Sequence, residues 1–458
     1  MAASQQTCVA EDGEAVWRSG RRGRVGWYCY DGANSVFATT VISIFFGPFI
    51  TDVCERAADA QGYLHPLGIP VLASSFFPFL VGLSVLLQIF VLPTAAALTE
   101  RFDKGVLLGA LGFCGAGAGM GMYTIGETDY LLGGTLFAVA TMALGAANTV
   151  ANTYLPALAP PERRDRTSTQ ASATGFLCGG VVLMAALLVY ARHESWGMTE
   201  SEAVRLIMLG AGAWWLVFGA VSVRLLRGYG APPAATPDTM GPSGRAGTYR
   251  ALFAAVRQMR SYPGAIWFLV AFLLYNNGMQ SVTSLVGTFA VEELGLKQDD
   301  VVTAVLAVQF VAFVGAIVGG RLAERYGGRN VLLGFVVVWF VAVVAGATIP
   351  ERSAAAFTTL CVGAGFVVGG TYALSRSVFV SLVPRERAAE YFGIFETVNR
   401  CLAFLGPAAF GFVLQWTGSY RVAWLSILVF FLAGALALVL GSVAGKGRER
   451  RQKEMTHG

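Results

Sequence analysis

The chain has 458 residues, of which 55% are hydrophobic and 13% charged, roughly half the charged share of an ordinary soluble domain. That balance excludes a water-soluble fold. The net charge of +5 is scattered along the chain with no groove-sized basic patch, so it excludes nucleic acid as a partner. A bilayer core about 30 Å thick needs roughly 20 apolar residues per helix. Stretches free of Asp, Glu, Lys and Arg supply twelve such spans, in chain order 32–51, 60–99, 105–126, 130–161, 167–191, 206–223, 261–291, 301–320, 330–350, 353–375, 401–420 and 422–445. The second stretch is too long for one helix; its polar, turn-rich 61–70 reads as a loop, so the span starts near Val71. The eleventh span starts near Tyr391, which places Glu396 and Arg400 inside it.

The fold class that follows is an all-α integral membrane protein of twelve transmembrane helices in two pseudo-symmetric six-helix bundles. The duplication is visible in the loops. Leu98-Thr99-Glu100-Arg101-Phe102 follows span two and Leu322-Ala323-Glu324-Arg325-Tyr326 follows span eight; Leu158-Ala159-Pro160 and Leu382-Val383-Pro384 stand at the same offset of 224 after spans four and ten. Two matches at one spacing imply six plus six helices. The expected organisation is a cytosolic segment 1–26, a bundle 27–227, a linker 228–262 containing an interfacial helix, a second bundle 263–445 and a basic tail 446–458. With both termini cytosolic, the cytosolic segments hold twenty-five Lys and Arg and the opposite loops six, as the positive-inside rule requires. The first 26 residues contain no apolar core and predict no cleavable signal peptide. Seven dispersed cysteines and three histidines outside the spans predict neither a disulfide framework nor a metal site, and no cofactor. With no His in any span, an intramembrane hydrolase has no constellation to work with.

Polar groups within the spans are the candidate functional residues, because burying them in lipid is costly without a partner or a cavity. Asp31 opens span one as expected from the stretch 32–51, and it reads either as a helix cap or as an inward-facing coupling acid. Asn34 continues its face. Asn148 and Asn152 lie one turn apart in span four. Span seven carries Tyr275, Asn276, Asn277 and Gln280, readable as cavity lining or as interhelical hydrogen-bonding glue. Glu396 and Arg400, four apart, read as a substrate or proton site or as a structural pair. At the cytosolic ends, Glu100, Arg101, Arg321, Glu324, Arg325 and Arg376 form a candidate set of latches, while Arg329 is expected to snorkel toward lipid phosphates.

The loop Gly320-Arg321-Leu322-Ala323-Glu324-Arg325-Tyr326-Gly327-Gly328-Arg329 and the six-plus-six pattern resemble the major facilitator superfamily. Within it the chain is similar to the vacuole-effluxer-like family, named for an autophagy-related amino-acid effluxer. The residues that carry this are Tyr30-Asp31-Gly32-Ala33-Asn34-Ser35, Phe272-Leu273-Leu274-Tyr275-Asn276-Asn277-Gly278, Glu292-Glu293-Leu294-Gly295, Ala373-Leu374-Ser375-Arg376-Ser377 and Phe404-Leu405-Gly406-Pro407. The chain departs from the family at Gly32, where Trp is usual, and at Asn277, where Asp is usual; the second change removes a candidate proton carrier. The resemblance implies a transporter working by alternating access. It would move a small polar solute, an amino acid foremost, through a cavity lined by spans one, four, seven and ten. Membrane lipids and coupling protons are its expected partners, and a monomer suffices. Asn34, Asn148, Asn152, Tyr275, Asn276, Asn277, Gln280 and Arg400 are then the substrate-binding candidates. Asp31, Glu100, Arg101, Arg321, Glu324, Arg325, Arg376 and Glu396 are the coupling and gating candidates. The implied membrane is vacuolar or lysosome-like in a eukaryote and the plasma membrane in a prokaryote. A sensor or scaffold built on a transporter fold is the alternative.

Overall fold

A computed structural model of the chain describes residues 20–99, 102–160, 164–229, 263–382 and 402–441. The linker helix, the basic tail, Glu100, Arg101, Glu396 and Arg400 lie outside these residues. Among the described residues, ten helices are long and apolar enough to cross a membrane. They divide into two compact units, Met1–Ala57 with Leu87–Arg245, and Ala58–Leu86 with Ala246–Gly458.

Span one is one helical rod from Arg21 to Ala57, made of α1 (Arg21–Val36), a π-helical segment (Phe37–Phe45) and α2 (Phe46–Ala57). This corrects the expected start at the charge-free boundary. Asp31 is ten residues inside the rod and cannot be its N-cap. In the first turn of the rod, Arg24, 8% exposed, donates to the Leu158 carbonyl oxygen at 3.2 Å, so its buried guanidinium is partnered. The π segment is rarer than any α-helical turn, and such segments concentrate at functional sites.

The rest of the first unit comprises α4 (Lys104–Gly121), α5 (Tyr130–Asn152), the single turn α6 (Leu155–Leu158), α7 (Arg164–Arg192) and α8 (Glu200–Leu226). The preceding helix α3 (Phe76–Leu98) crosses the boundary between the units at Leu86 and Leu87. Helix starts are written locally. The Asp103 carboxylate accepts from Gly105 N at 2.7 Å and Val106 N at 3.1 Å at the start of α4, and Thr199 and Glu202 form a capping box on α8, each satisfying backbone donors that a helix start leaves open. The expected single stretch 130–161 is broken at Thr153, because the bend before Pro156 disfavours further helix. Helix α1 packs against α7 and α8, and α4 against α5 and α8.

The second unit contains a short hairpin, β1 (Tyr63–Leu64) antiparallel to β2 (Val71–Leu72). It is followed by α9 (Pro263–Glu292), α10 (Gln298–Tyr326), α11 (Gly328–Thr348), α12 (Ala354–Ser381), α13 (Leu405–Thr417) and α14 (Tyr420–Ser426), the last continued to Gly441. Helix α9 has the length of a span at 30 residues, but its amides dilute its hydropathy. Residues 58–86 group with this unit because Leu72 N donates to Gln415 Oε1 at 2.8 Å, Tyr420 Oη to the Ser74 carbonyl at 3.4 Å, and Phe79 packs edge-on to Phe412. Helices α10 and α12 make the closest helix pair. A Cβ at Gly319 would stand 3.2 Å from Gly370 Cα, and a side chain at Gly315 or Gly369 would overlap the carbonyl oxygen of Phe366 or Ala312 respectively. Close approach through small residues is how helices associate where no hydrophobic driving force separates them from lipid.

Candidate functional site

In the first unit, α1 is wedged between α5 and α7, and its polar residues point both ways. Toward α5, Asn34 is 4% exposed and donates through Nδ2 to Asn148 Oδ1 at 2.6 Å, while Trp27 Nε1 donates to the Ala151 carbonyl at 3.0 Å. Toward α7, Tyr28 donates to Gln170 Oε1 at 2.7 Å. One turn further, Gly175 leaves just enough room for Asp31 and Ser35, since a Cβ there would stand 2.7 Å from Asp31 Oδ2. Another turn on, a Cβ at Gly32 would stand 2.9 Å from Cys178 Sγ. Tyr28, Asp31 and Ser35 recur at helical spacing, so they form one polar seam against Gln170, Thr174 and Cys178. Asp31 is half-buried on that seam. Asn152 lies at the exposed end of α5.

Sequence reasoning on spans one and four missed the contribution of span five. Gln170 and Thr174 were legible only as polar residues in the expected stretch 167–191, and nothing local places them opposite Asp31. The departure at Gly32 acquires a physical reason here. The volume that a Trp ring would fill in this unit is taken by Cys178 and Thr174.

In the second unit, α9 separates its polar residues by role. Tyr275 and Ser375 share a hydrogen bond of 2.7 Å in a fully buried setting, and Ser375 in turn donates to the Thr371 carbonyl at 2.6 Å. Asn277, 2% exposed, donates to its own helix at the Leu273 carbonyl, 2.7 Å, and accepts from Gly406 N at 3.3 Å, so it joins α9 to the start of α13. Asn276 is equally buried. Gln280 is different: it is exposed, and its Oε1 accepts from Tyr372 Oη of α12 at 2.8 Å. Tyr372 is 37% exposed. Gln280 and Tyr372 therefore pair at the exposed side of this unit, whereas Tyr275 and Asn277 spend their polar atoms within the bundle.

Of the expected latch residues, three have described side chains. Arg321, Glu324 and Arg325 are exposed, and among the described residues no ion pair joins them to a partner; Arg325 lies 5.4 Å over the Tyr326 ring. Arg376 lies in α12. Arg329 donates to the Leu438 carbonyl of the last span. Glu324, Arg329, Asn330 and Ser377 line a cavity of about 620 Å³ at the junction of α10, α11 and α12. The ion pair that does staple this unit sits at the opposite end, where Arg421 Nε meets Glu293 Oε1 at 2.7 Å. In the sequence, Glu293 belongs to the stretch Glu292-Glu293-Leu294-Gly295, while Arg421 lies among loop charges with nothing local to mark it as the partner.

Helices of bilayer length with polar seams inside them define a multi-pass transporter of the major facilitator type. The crystal structure of a D-xylose–proton symporter superposes on the chain with a TM-score of 0.64 at 12% identity, covering 92% of this chain and 96% of that one, a likeness of fold. The sequence profile of the family described as vacuole effluxer Atg22 like matches residues 19–452, and the chain belongs to that family. It is 23% identical over 421 residues to an uncharacterized MFS-type transporter of Bacillus subtilis, covering 90% of this chain and 93% of that protein. It is 28% identical over 313 residues to autophagy-related protein 22 of Cryptococcus neoformans, covering 64% of this chain and 56% of the relative.

Proposed function

We propose that the protein exports a small polar solute, foremost a neutral amino acid, by alternating access. The observation that carries this is the seam around Asp31: a half-buried carboxylate within an apolar bundle, on the helix that continues into a π-helical segment, with the amide of Gln170 and the hydroxyl of Thr174 from span five along the same seam. Asp31 takes the solute's ammonium or a coupling proton. Asn34, Asn148 and Asn152 of the same unit supply neutral hydrogen bonds for the rest of the solute. In the second unit, Asn276, Gln280 and Tyr372 are polar groups of the same kind. The family's description as effluxers supports the direction, and the excess of basic residues in alternate loops supports cytosolic termini. Arg321, Glu324, Arg325 and Arg376, with Glu100 and Arg101, are gating residues on this reading, and Glu396 with Arg400 a second charged pair on the pathway. The membrane is vacuolar or lysosome-like in a eukaryote and the plasma membrane in a prokaryote.

The test is counterflow in proteoliposomes preloaded with unlabelled amino acids. Labelled neutral amino acid should accumulate transiently, and Asp31→Asn should abolish the response to a pH gradient. A protein that exchanges no amino acid under any gradient overturns the reading, and a pH response retained in Asp31→Asn removes this residue as the proton carrier.

A further inference from the structure

The loop between spans one and two is built around an apolar tip that the transport reading does not use. Its neck is held by hydrogen bonds and a buried leucine. Leu64 is 2% exposed, Ala73 N donates to the Gly62 carbonyl at 3.1 Å, and the Asp59 carboxylate accepts from Gln61 N at 3.0 Å and Tyr63 N at 2.8 Å. The tip, Pro66-Leu67-Gly68-Ile69-Pro70, faces outward. Leu67 is 98% exposed and Ile69 61%, and Leu67 is held in the left-handed region at φ 54°. A leucine in that conformation is strained, so a flexible polar residue would serve better if the tip simply turned the chain in water.

The hairpin's anchor says what faces it. Leu72 N is bonded to Gln415, and the next residue on α13, Trp416, is 83% exposed; Phe412, one turn down, is 55% exposed. An exposed Trp at the end of a membrane helix marks the level of the headgroups, and aromatic side chains below it face acyl chains. The turn from α13 to α14 at Gly418 and the ends of both helices lie at this same end of the unit. The hairpin is thus tied to the lipid-facing corner of α13, and no charged residue occurs from 60 to 99 to keep it out of the interface.

We infer that the tip of this hairpin, Leu67 and Ile69, inserts into the headgroup–acyl boundary of the leaflet at that end of the protein, a lipid anchor distinct from the spans. The insertion pins the outer end of the second unit at a fixed depth. Paired leucine and isoleucine with flanking prolines give the apolar, pre-bent surface that interfacial insertion needs.

The test is Leu67→Cys in a background with Cys8, Cys29, Cys114, Cys178 and Cys401 replaced by Ser, which leaves only the buried Cys54 and Cys361, spin-labelled in liposomes, with the background protein itself as the labelling blank. Ile69→Cys is measured alongside, Glu127→Cys serves as an aqueous control and Phe90→Cys as a lipid control. Insertion is expected to raise collisions with oxygen toward the Phe90 value and to abolish access of a water-soluble nickel complex. Nickel access equal to that at Glu127 shows a tip in water and overturns the inference. Loss of access to both reagents shows a tip packed on protein, whether this chain or a second copy, and overturns it equally.

Discussion

Asn277 and Gln280 are nearly one turn apart on the same helix, yet the structure gives them opposite work. Asn277 uses both ends of its amide inside the bundle, so Asn277→Ala should leave Gly406 N unsatisfied and cost about 1–3 kcal/mol. Gln280→Ala removes an exposed amide and should raise KM for transport while leaving stability within about 0.5 kcal/mol. Thermal unfolding of both variants together with a KM measurement separates the two roles; equal effects of both on stability would contradict the assignment. Gly32 tells the same story from the side of volume. Gly32→Ala should destabilise by about 1–3 kcal/mol through overpacking, and Cys178→Ala in the same chain should recover most of it, a coupling that a double-mutant cycle on melting temperature reads directly. Both residues are visible in the sequence as departures from a family pattern. What they touch is not, since Gly406 is 129 positions and Cys178 146 positions away.

At the scale of elements, the crossing of α10 and α12 depends on glycines spaced four apart on each helix, Gly315 set against the Phe366 carbonyl and Gly319 against Gly370, Gly365 against Val308 and Gly369 against the Ala312 carbonyl. Gly315→Ala forces the backbones apart and should lower the melting temperature of the purified protein, whereas Gly320→Ala and Gly363→Ala, with nothing within 4 Å, should be neutral or gain about 0.4–1 kcal/mol from a stiffer unfolded chain. The β-hairpin carries the pH dependence. Asp59 is held below the usual carboxylate range, first by the hydrogen bond with His65 and then by the Tyr63 and Gln61 backbone donors. A carboxylate with a depressed folded value stabilises fully above its unfolded value near 3.8 and loses that contribution as pH falls through the folded one. Amide exchange across 59–72 should therefore be protected at neutral pH and accelerate on acidification below about pH 4, and Asp59→Asn should remove the pH step. The spacing of glycines and the turn residues of the loop are plain in the sequence. Which glycine meets a carbonyl and which meets empty space depends on the rotation of each helix, which apolar periodicity fixes only loosely in a span that is apolar all round.

For the whole molecule, the count and sidedness of helices rest on the solvent. Lipid imposes length and forbids unpaired backbone groups, so runs of uncharged residues and the distribution of Lys and Arg were enough to set the class of fold, the duplication and the expectation of cytosolic termini. Membrane-impermeant labelling of Cys8 and of a cysteine introduced in the tail should require permeabilisation in intact cells for both. Labelling of either tail from outside would reverse the topology. The sequence by itself determined what a bilayer selects, because hydrophobic length and charge are properties of single segments. The tertiary structure alone decided where span one begins, that Asp31 lies inside it beside Gln170 and Thr174 of α7, that Arg329 serves a carbonyl, and that residues 58–86 fold with the second unit. Each of these depends on a partner more than a hundred residues away, and inside a low-dielectric bundle it is the partner that determines whether a polar group is tolerated, spent on structure or left for a solute.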